Sequence, residues 1–330
     1  MNLLLLLDMV AAGRADEVAV QVGDDRLTAG ELLTAAWSAA EVATGASALA
    51  HVGTNGLAFP VGLFAAAAAG VMVLMVGATT RLSEFLTARP KVYRAEITFG
   101  IATDTLDGEG AIVQRGDASA LREEAVRVAL AALTGELQIV PPMHSAVRHQ
   151  GRRLYDIARS GRTVAVETRT SVIDRFELLD FQPGDPARAL TEVACSSGTY
   201  VRSLAAMAGE IVGLPACLSV LVRTRVGAQR IADALTGREL SAAVRDGRLG
   251  EVLIAPADAL ADWPRLVADH QAARALIHGM QLPAWAPVDA GHVLVMLEDG
   301  RLLGVAEALE CDDALVIQPR RVLLGEDVLR

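Results

Sequence analysis

Cys195-Ser196-Ser197-Gly198-Thr199-Tyr200-Val201-Arg202-Ser203-Leu204 decides the reading of the fold. The residues before it, 190–195, form a short run that reads as a strand. Ser-Ser-Gly-Thr is turn chemistry. Residues 201–212 then carry apolar positions at helical spacing and stop at Gly213, where a helix-ending glycine belongs. Strand, turn and helix follow within about two dozen residues, the rhythm of an α/β chain. The helix carries an arginine, Arg202, that faces inward by pattern. A guanidinium removed from water needs a carboxylate or phosphate partner. A Ser-Gly-Thr turn at a helix start also suits a phosphate.

The same texture extends in both directions. Residues 93–99 alternate like a half-buried strand and end at Gly100. Residues 121–133 have helical spacing, Pro141-Pro142 is a break, 154–158 read as a short helix after the turn at Gly151, and 172–179 as a strand. Residues 258–263 close this region. Three short strands, 293–297, 302–306 and 315–317, make a small β-rich module beyond it. Toward the N-terminus, Val18–Val22 reads as a strand followed by the turn Gly23-Asp24-Asp25. Thr28 and Glu31 have the spacing of a capping box that opens a helix over 32–43. A second helix is expected over 59–69, ending at Gly70. The apolar run 57–76 is long enough to cross a bilayer by count, but its successive alanines make it only mildly hydrophobic. It reads as an Ala-rich buried helix leading into a strand at 71–76. Residues 1–7 lack the positive flank of a signal peptide.

With 330 residues, 52% apolar and 21% charged, the chain has the composition of a soluble globular protein with room for two domains. Its net charge of −10 repels polyanions over the surface as a whole, so an RNA site would need a local basic patch. Arg148, Arg152, Arg153, Arg159 and Arg162, with Tyr155 among them, supply one. Cys195, Cys217 and Cys311 are too far apart for a disulfide framework or a Cys-x-x-Cys zinc site, and suit a reducing cytoplasm. Thr103-Asp104-Thr105-Leu106-Asp107, before Gly108 and Gly110, reads as a turn whose side-chain oxygens satisfy loop amides. The alternative, a magnesium site on Asp104 and Asp107, lacks further carboxylates nearby.

Taken together, these motifs resemble one family. Lys91-x-Tyr93, the Thr103–Asp107 turn, Pro141-Pro142-Met143-His144-Ser145-Ala146, Gly151-Arg152-Arg153-Leu154-Tyr155-Asp156-Ile157-Ala158-Arg159, the Cys195–Leu204 stretch and residues 218–227 occur in the order and spacing of TruB-type tRNA pseudouridine synthases. Residues 256–260, Gly279, 300–308 and 317–323 are similar to a small PUA-type RNA-binding module. The resemblance implies a mixed, largely antiparallel sheet flanked by helices, followed by the β-rich module, in an α/β (α+β) fold. It places the synthase domain at 71–255 and the PUA-like module at 256–330. It also implies isomerisation of a T-loop uridine of tRNA to pseudouridine by a cytoplasmic monomer, with no metal, no organic cofactor and no membrane. The base is flipped out of its stack, an aspartate attacks the nucleoside, and the uracil rotates and rejoins through carbon. Tyr93 takes the position of the stacking ring, and its hydroxyl suits the later proton transfer. Arg202 is the arginine that pairs with the aspartate, and Leu221 is a wall of the base pocket. Tyr200, Arg148, Arg152, Arg153 and Tyr155 are expected on the tRNA.

The family's aspartate lies in a motif close to G-T-L-D-P-x-A-T-G, where this chain reads Gly53-Thr54-Asn55-Gly56-Leu57-Ala58-Phe59-Pro60-Val61-Gly62. No Asp or Glu occurs between Val42 and Ser83. The Asn55 amide carries no charge and cannot replace a carboxylate as nucleophile. Arg202 must then find another acid or solvent. Residues 1–70 instead resemble the start of an adenylate-forming acyl ligase, as in a fused gene. The ligase's phosphate-binding loop is absent, which disfavours an acyl-activating enzyme. A catalytically inactive tRNA-binding module is the nearer alternative.

Overall fold

The computed structural model describes residues 18–22, 25–28, 71, 73, 75, 77–145, 147–160, 162, 164–235, 239, 242–243, 245–311 and 314–325. The helices expected over 32–43 and 59–69, most of the apolar run 57–76, and Asn55 and Gly56 lie outside them. Strands β1 (Val18–Val22) and β2 (Asp25–Thr28) form an antiparallel hairpin. Only its first strand was expected from sequence. Of the strand expected at 71–76, residues 71, 73 and 75 are described and none lies in a strand. Among the described residues, no helix is long and apolar enough to cross a membrane.

Contacts divide the chain into two units, one built on residues 89–242 and one on 243–330 together with 74–88. In the first, the strands are β3 (Lys91–Phe99), β4 (Ile101–Thr103), β5 (Ile112–Arg115), β6 (Gly135–Ile139), β7 (Arg148–His149), β8 (Arg152–Arg153), β9 (Arg169–Gln182), β10 (Ala187–Cys195), β11 (Ala216–Val226) and β12 (Gln229–Arg230). Six of them form the sheet β12-β11-β3-β10-β9-β6, whose pairs are all antiparallel. The alternation in β10 explains its place: Ala187, Ala189, Val193 and Cys195 turn inward at 0% exposure. Thr191, on the same face, meets the cost of burial by donating its hydroxyl to the Ala95 carbonyl at 2.9 Å. Ala95, Ile97 and Phe99 of β3 complete that face.

Two helices cover it. Glu123–Ala132 buries Val126, Ala129 and Leu130, and its first turn carries Glu123 and Glu124, the charge that suits a helix N-terminus. Val201–Val212 buries Val201, Leu204, Ala205 and Ala208. It ends at Gly213, left-handed at φ 74°, as the sequence predicts. Gly209 lets this helix approach β11 closely, because a Cβ there would stand 2.6 Å from that of Ala216. Strands β6 and β11 were not foreseen.

In the second unit, strands β13 (Arg265–Ala268), β14 (Leu282–Pro283), β15 (Gly291–Leu297), β16 (Leu302–Cys311) and β17 (Ala314–Val322) form a five-stranded sheet in the order β13-β15-β16-β17-β14. The three expected strands are its centre, and longer than their apolar cores. Helix His270–Ile277 is capped by Asp269, whose carboxylate accepts the Ala272 amide at 2.7 Å. Leu266, Ala273, Leu276, Val293, Val295, Leu303 and Ile317 fill the core. The short helix Ser83–Thr87 belongs here. Its Phe85 meets Trp263 and His292 edge-on, with ring centroids 5.5 and 5.2 Å away, and Glu84 pairs with Arg321 at 2.7 Å.

Candidate active site

The turn between β4 and β5 is held by its own side chains. Thr103 donates to the Asp107 carbonyl at 2.6 Å, Thr105 donates to Asp107 Oδ1 at 2.6 Å, and the Glu109 amide donates to the same oxygen at 3.2 Å. Asp104 Oδ1 accepts the Ala111 amide at 2.9 Å. Leu106 takes φ 62° to make the bend. The turn is pinned to β11 where the Gly108 amide donates to the Leu218 carbonyl at 2.9 Å and the Leu218 amide to the Leu106 carbonyl at 3.1 Å. These oxygens do the amide-satisfying work expected of the motif. Among the described residues, no group of three or more His, Cys, Asp and Glu could hold a metal.

Arg202, two residues into its helix, reaches this turn. Its Nη1 stands 3.1 Å from Asp107 Oδ2 and donates to the Thr105 carbonyl at 3.1 Å, while Nη2 donates to the His144 carbonyl at 2.9 Å. The side chains of Arg202 and Asp107 are 14% and 8% exposed. The guanidinium therefore finds its acid in the chain: Asp107 is the carboxylate beside Arg202. This single cation joins the β4–β5 turn to the Pro141–Ser145 segment, and Ser203 fastens the same helix to that segment by donating to the Val140 carbonyl at 2.7 Å.

Tyr93, Leu221 and Tyr200 are half-buried and pack on the same core cluster. Tyr93 faces Arg223 and Leu221 faces Ala95 in the β3–β11 register. Burial pushes the Tyr93 phenol up from its ordinary value, opposed by the charge of Arg223. Burial, then Arg223, lowers the Lys91 ammonium, which donates to the Arg89 carbonyl at 2.7 Å and to Ser197 Oγ at 3.1 Å. Arg223 was not picked out in the sequence, because three basic or polar residues in a row, Arg223-Thr224-Arg225, gave it no special place.

The basic segment forms a small hairpin, with Arg148 opposite Arg153 and His149 opposite Arg152. Arg152 is exposed, and Arg153 donates to the Tyr155 hydroxyl at 3.2 Å with its guanidinium carbon 5.8 Å from that ring's centroid. Tyr155 is buried, a core residue whose polar tip meets an arginine. The side chains of Arg148 and Arg159 lie outside those described.

Residues 62–201 match the TruB family pseudouridylate synthase (N terminal domain). The chain is 47% identical over 212 residues to a tRNA pseudouridine synthase B of Symbiobacterium thermophilum, covering 64% of this chain and 69% of that protein. It is 40% identical over 249 residues to one of Pelotomaculum thermopropionicum, covering 73% and 79%. Among solved structures, a chain of the Cbf5-Nop10-Gar1 complex shares the fold with a TM-score of 0.60 at 21% identity, covering 79% of this chain and 74% of that one. The order of motifs, the antiparallel sheet and these relatives agree, and the chain belongs to the TruB family of pseudouridylate synthases.

Proposed function

We propose that the chain is a tRNA pseudouridine synthase that isomerises a T-loop uridine to pseudouridine, as a cytoplasmic monomer without metal or organic cofactor. The observation that carries the reading is the buried Arg202–Asp107 pair set beside two carbonyl acceptors in a chain of this family. A cation so fixed needs no reorganisation when charge develops beside it. Tyr93 supplies the face on which a flipped uracil stacks, Leu221 an apolar wall, and Tyr200 packs alongside. Arg148, Arg152 and Arg153 take backbone phosphates, so affinity falls steeply with salt. Residues 256–330 add a second, PUA-like RNA-binding surface. Residues 1–70 are read as ligase-like sequence joined to the synthase, without ligase chemistry.

A second reading, tRNA binding without turnover, is favoured by a specific observation. The stretch 53–62 offers no carboxylate, and Asp107 accepts hydrogen bonds from Thr105, the Glu109 amide and Arg202. A carboxylate held this way is a poor nucleophile until it gives up a donor. In the first reading Asp107 makes that exchange on binding substrate. The two readings separate when pseudouridine formation and tRNA binding are measured on one preparation with an unmodified transcript. Formation at the T-loop uridine supports the first reading, binding alone supports the second, and neither removes tRNA as the partner.

A further inference from the structure

Arg223 stands beside the proposed reaction's stacking ring without a part in it so far. Arg223 lies on β11 directly opposite Tyr93 on β3, on the inward face of the sheet. Its own setting is fixed from behind. Nε donates to the Val71 carbonyl at 2.8 Å, and the Val71 amide donates back to the Arg223 carbonyl at 2.9 Å. Register shifts flank it, between Leu218 and Val220 and between Arg223 and Arg225. Such bulges turn a side chain out of the regular alternation and re-aim it. With its Nε held by Val71, Arg223 stands across the strand pair from Tyr93, and its charge acts on the Tyr93 phenol.

We infer that Arg223 is a positioning residue for Tyr93: anchored through Nε on the Val71 carbonyl, its guanidinium orients the phenol oxygen to take a proton from the rejoined uracil. This rests on the synthase reading above. Once the uracil is joined to C1′ through C5, the C5–H bond breaks and its electron pair forms C5=C6. The C6=N1 pair returns to N1, which takes a proton from water, and the C5 proton passes to the phenolate oxygen of Tyr93. A half-buried tyrosine resists becoming a phenolate, and a fixed guanidinium beside its oxygen favours that form. The groups acting on the phenol are Arg223 from β11, which favours the phenolate, and the Cys195 thiol from β10, which opposes it. Lys91, on the same face of β3, is itself repelled by Arg223. Val193, the residue of β10 opposite Tyr93, carries no charge.

The test follows the titration of Tyr93 in the full chain without tRNA. The chain has three tyrosines, so Tyr155→Phe and Tyr200→Phe leave Tyr93 as the sole ring carrying a 13Cζ label for NMR. In that background Arg223→Met is expected to move the titration to a pH about one unit higher, and Arg223→Lys to restore most of the difference. An unmoved titration in folded Arg223→Met overturns the inference. If Arg223→Met does not fold, Arg223→Gln against Arg223→Lys decides: a higher titration in Arg223→Gln supports it, and equal titrations overturn it. Because neither tRNA nor turnover enters, a chain that is silent on tRNA fails the synthase reading without touching this result. Where the chain turns over, the rising limb of its pH profile is expected to move with the Tyr93 titration in the same variants.

Discussion

Two arginine–carboxylate pairs in this molecule look alike on paper and differ in kind. Arg127 and Glu123 stand 2.6 Å apart one turn along a helix, with side chains 49% and 53% exposed. Arg202 and Asp107 stand 3.1 Å apart, 14% and 8% exposed. The shorter contact is the weaker one, because water competes for both of its members and screens their charge. The longer contact is enclosed, and each member has further partners: the Thr105 and His144 carbonyls for the cation, the Thr105 hydroxyl and the Glu109 amide for the acid. Removing one side of such a pair strands a buried charge. Burial and supporting hydrogen bonds, more than distance, separate a site from a surface.

The sharpest way to break this contrast is Asp107→Ala. It is expected to cost about 3–5 kcal/mol of stability in urea unfolding and to abolish pseudouridine formation. A loss under about 1 kcal/mol would show that Arg202 finds water as easily as Arg127 does. Next is the seat of the Arg202 helix. At Gly209 an added Cβ would meet Ala216 Cβ and the Leu214 carbonyl oxygen, each at 2.6 Å, so Gly209→Ala is expected to lose about 1–3 kcal/mol by the same measurement. An unchanged midpoint would mean the helix shifts freely over β11.

Exposed charge with a task differs from exposed charge without one. Replacing Arg152 and Arg153 together by Ala is expected to weaken tRNA binding and to reduce the slope of log affinity against log salt by about 1.5. An unchanged slope removes both from the interface. The smallest effect is expected at Glu123→Ala, within about 0.5 kcal/mol, because that pair is solvated on both sides. A larger loss there would erase the distinction drawn between the two pairs.

Much of the site's scaffold was legible in the sequence. Arg202 stood out as a charge in an apolar helix, Gly213 as its stop, β3 by its alternation, and the second half of β10 as a short strand run. Asp107 was visible only as one of two acids in a turn, because its partner lies 95 residues away and is brought there by the sheet. Strand β11 escaped because register shifts at 218–220 and 223–225 interrupt its period of two and Arg223-Thr224-Arg225 carries no apolar residue. Strand β6 is only five residues long and directly follows a helix, so its own pattern is too short to read. Strands β13 and β14, of four and two residues, carry even less signal.

The most direct test uses tRNA carrying tritium at C5 of its uridines, since that hydrogen leaves only when the base has rejoined through carbon. A matched transcript with cytidine at the T-loop position serves as the comparison, and binding of both is recorded. The synthase reading predicts tritium release from the first transcript and none above background from the second. Tight binding of the first transcript with no release would contradict it and leave a tRNA-binding scaffold in which Asp107 only holds Arg202.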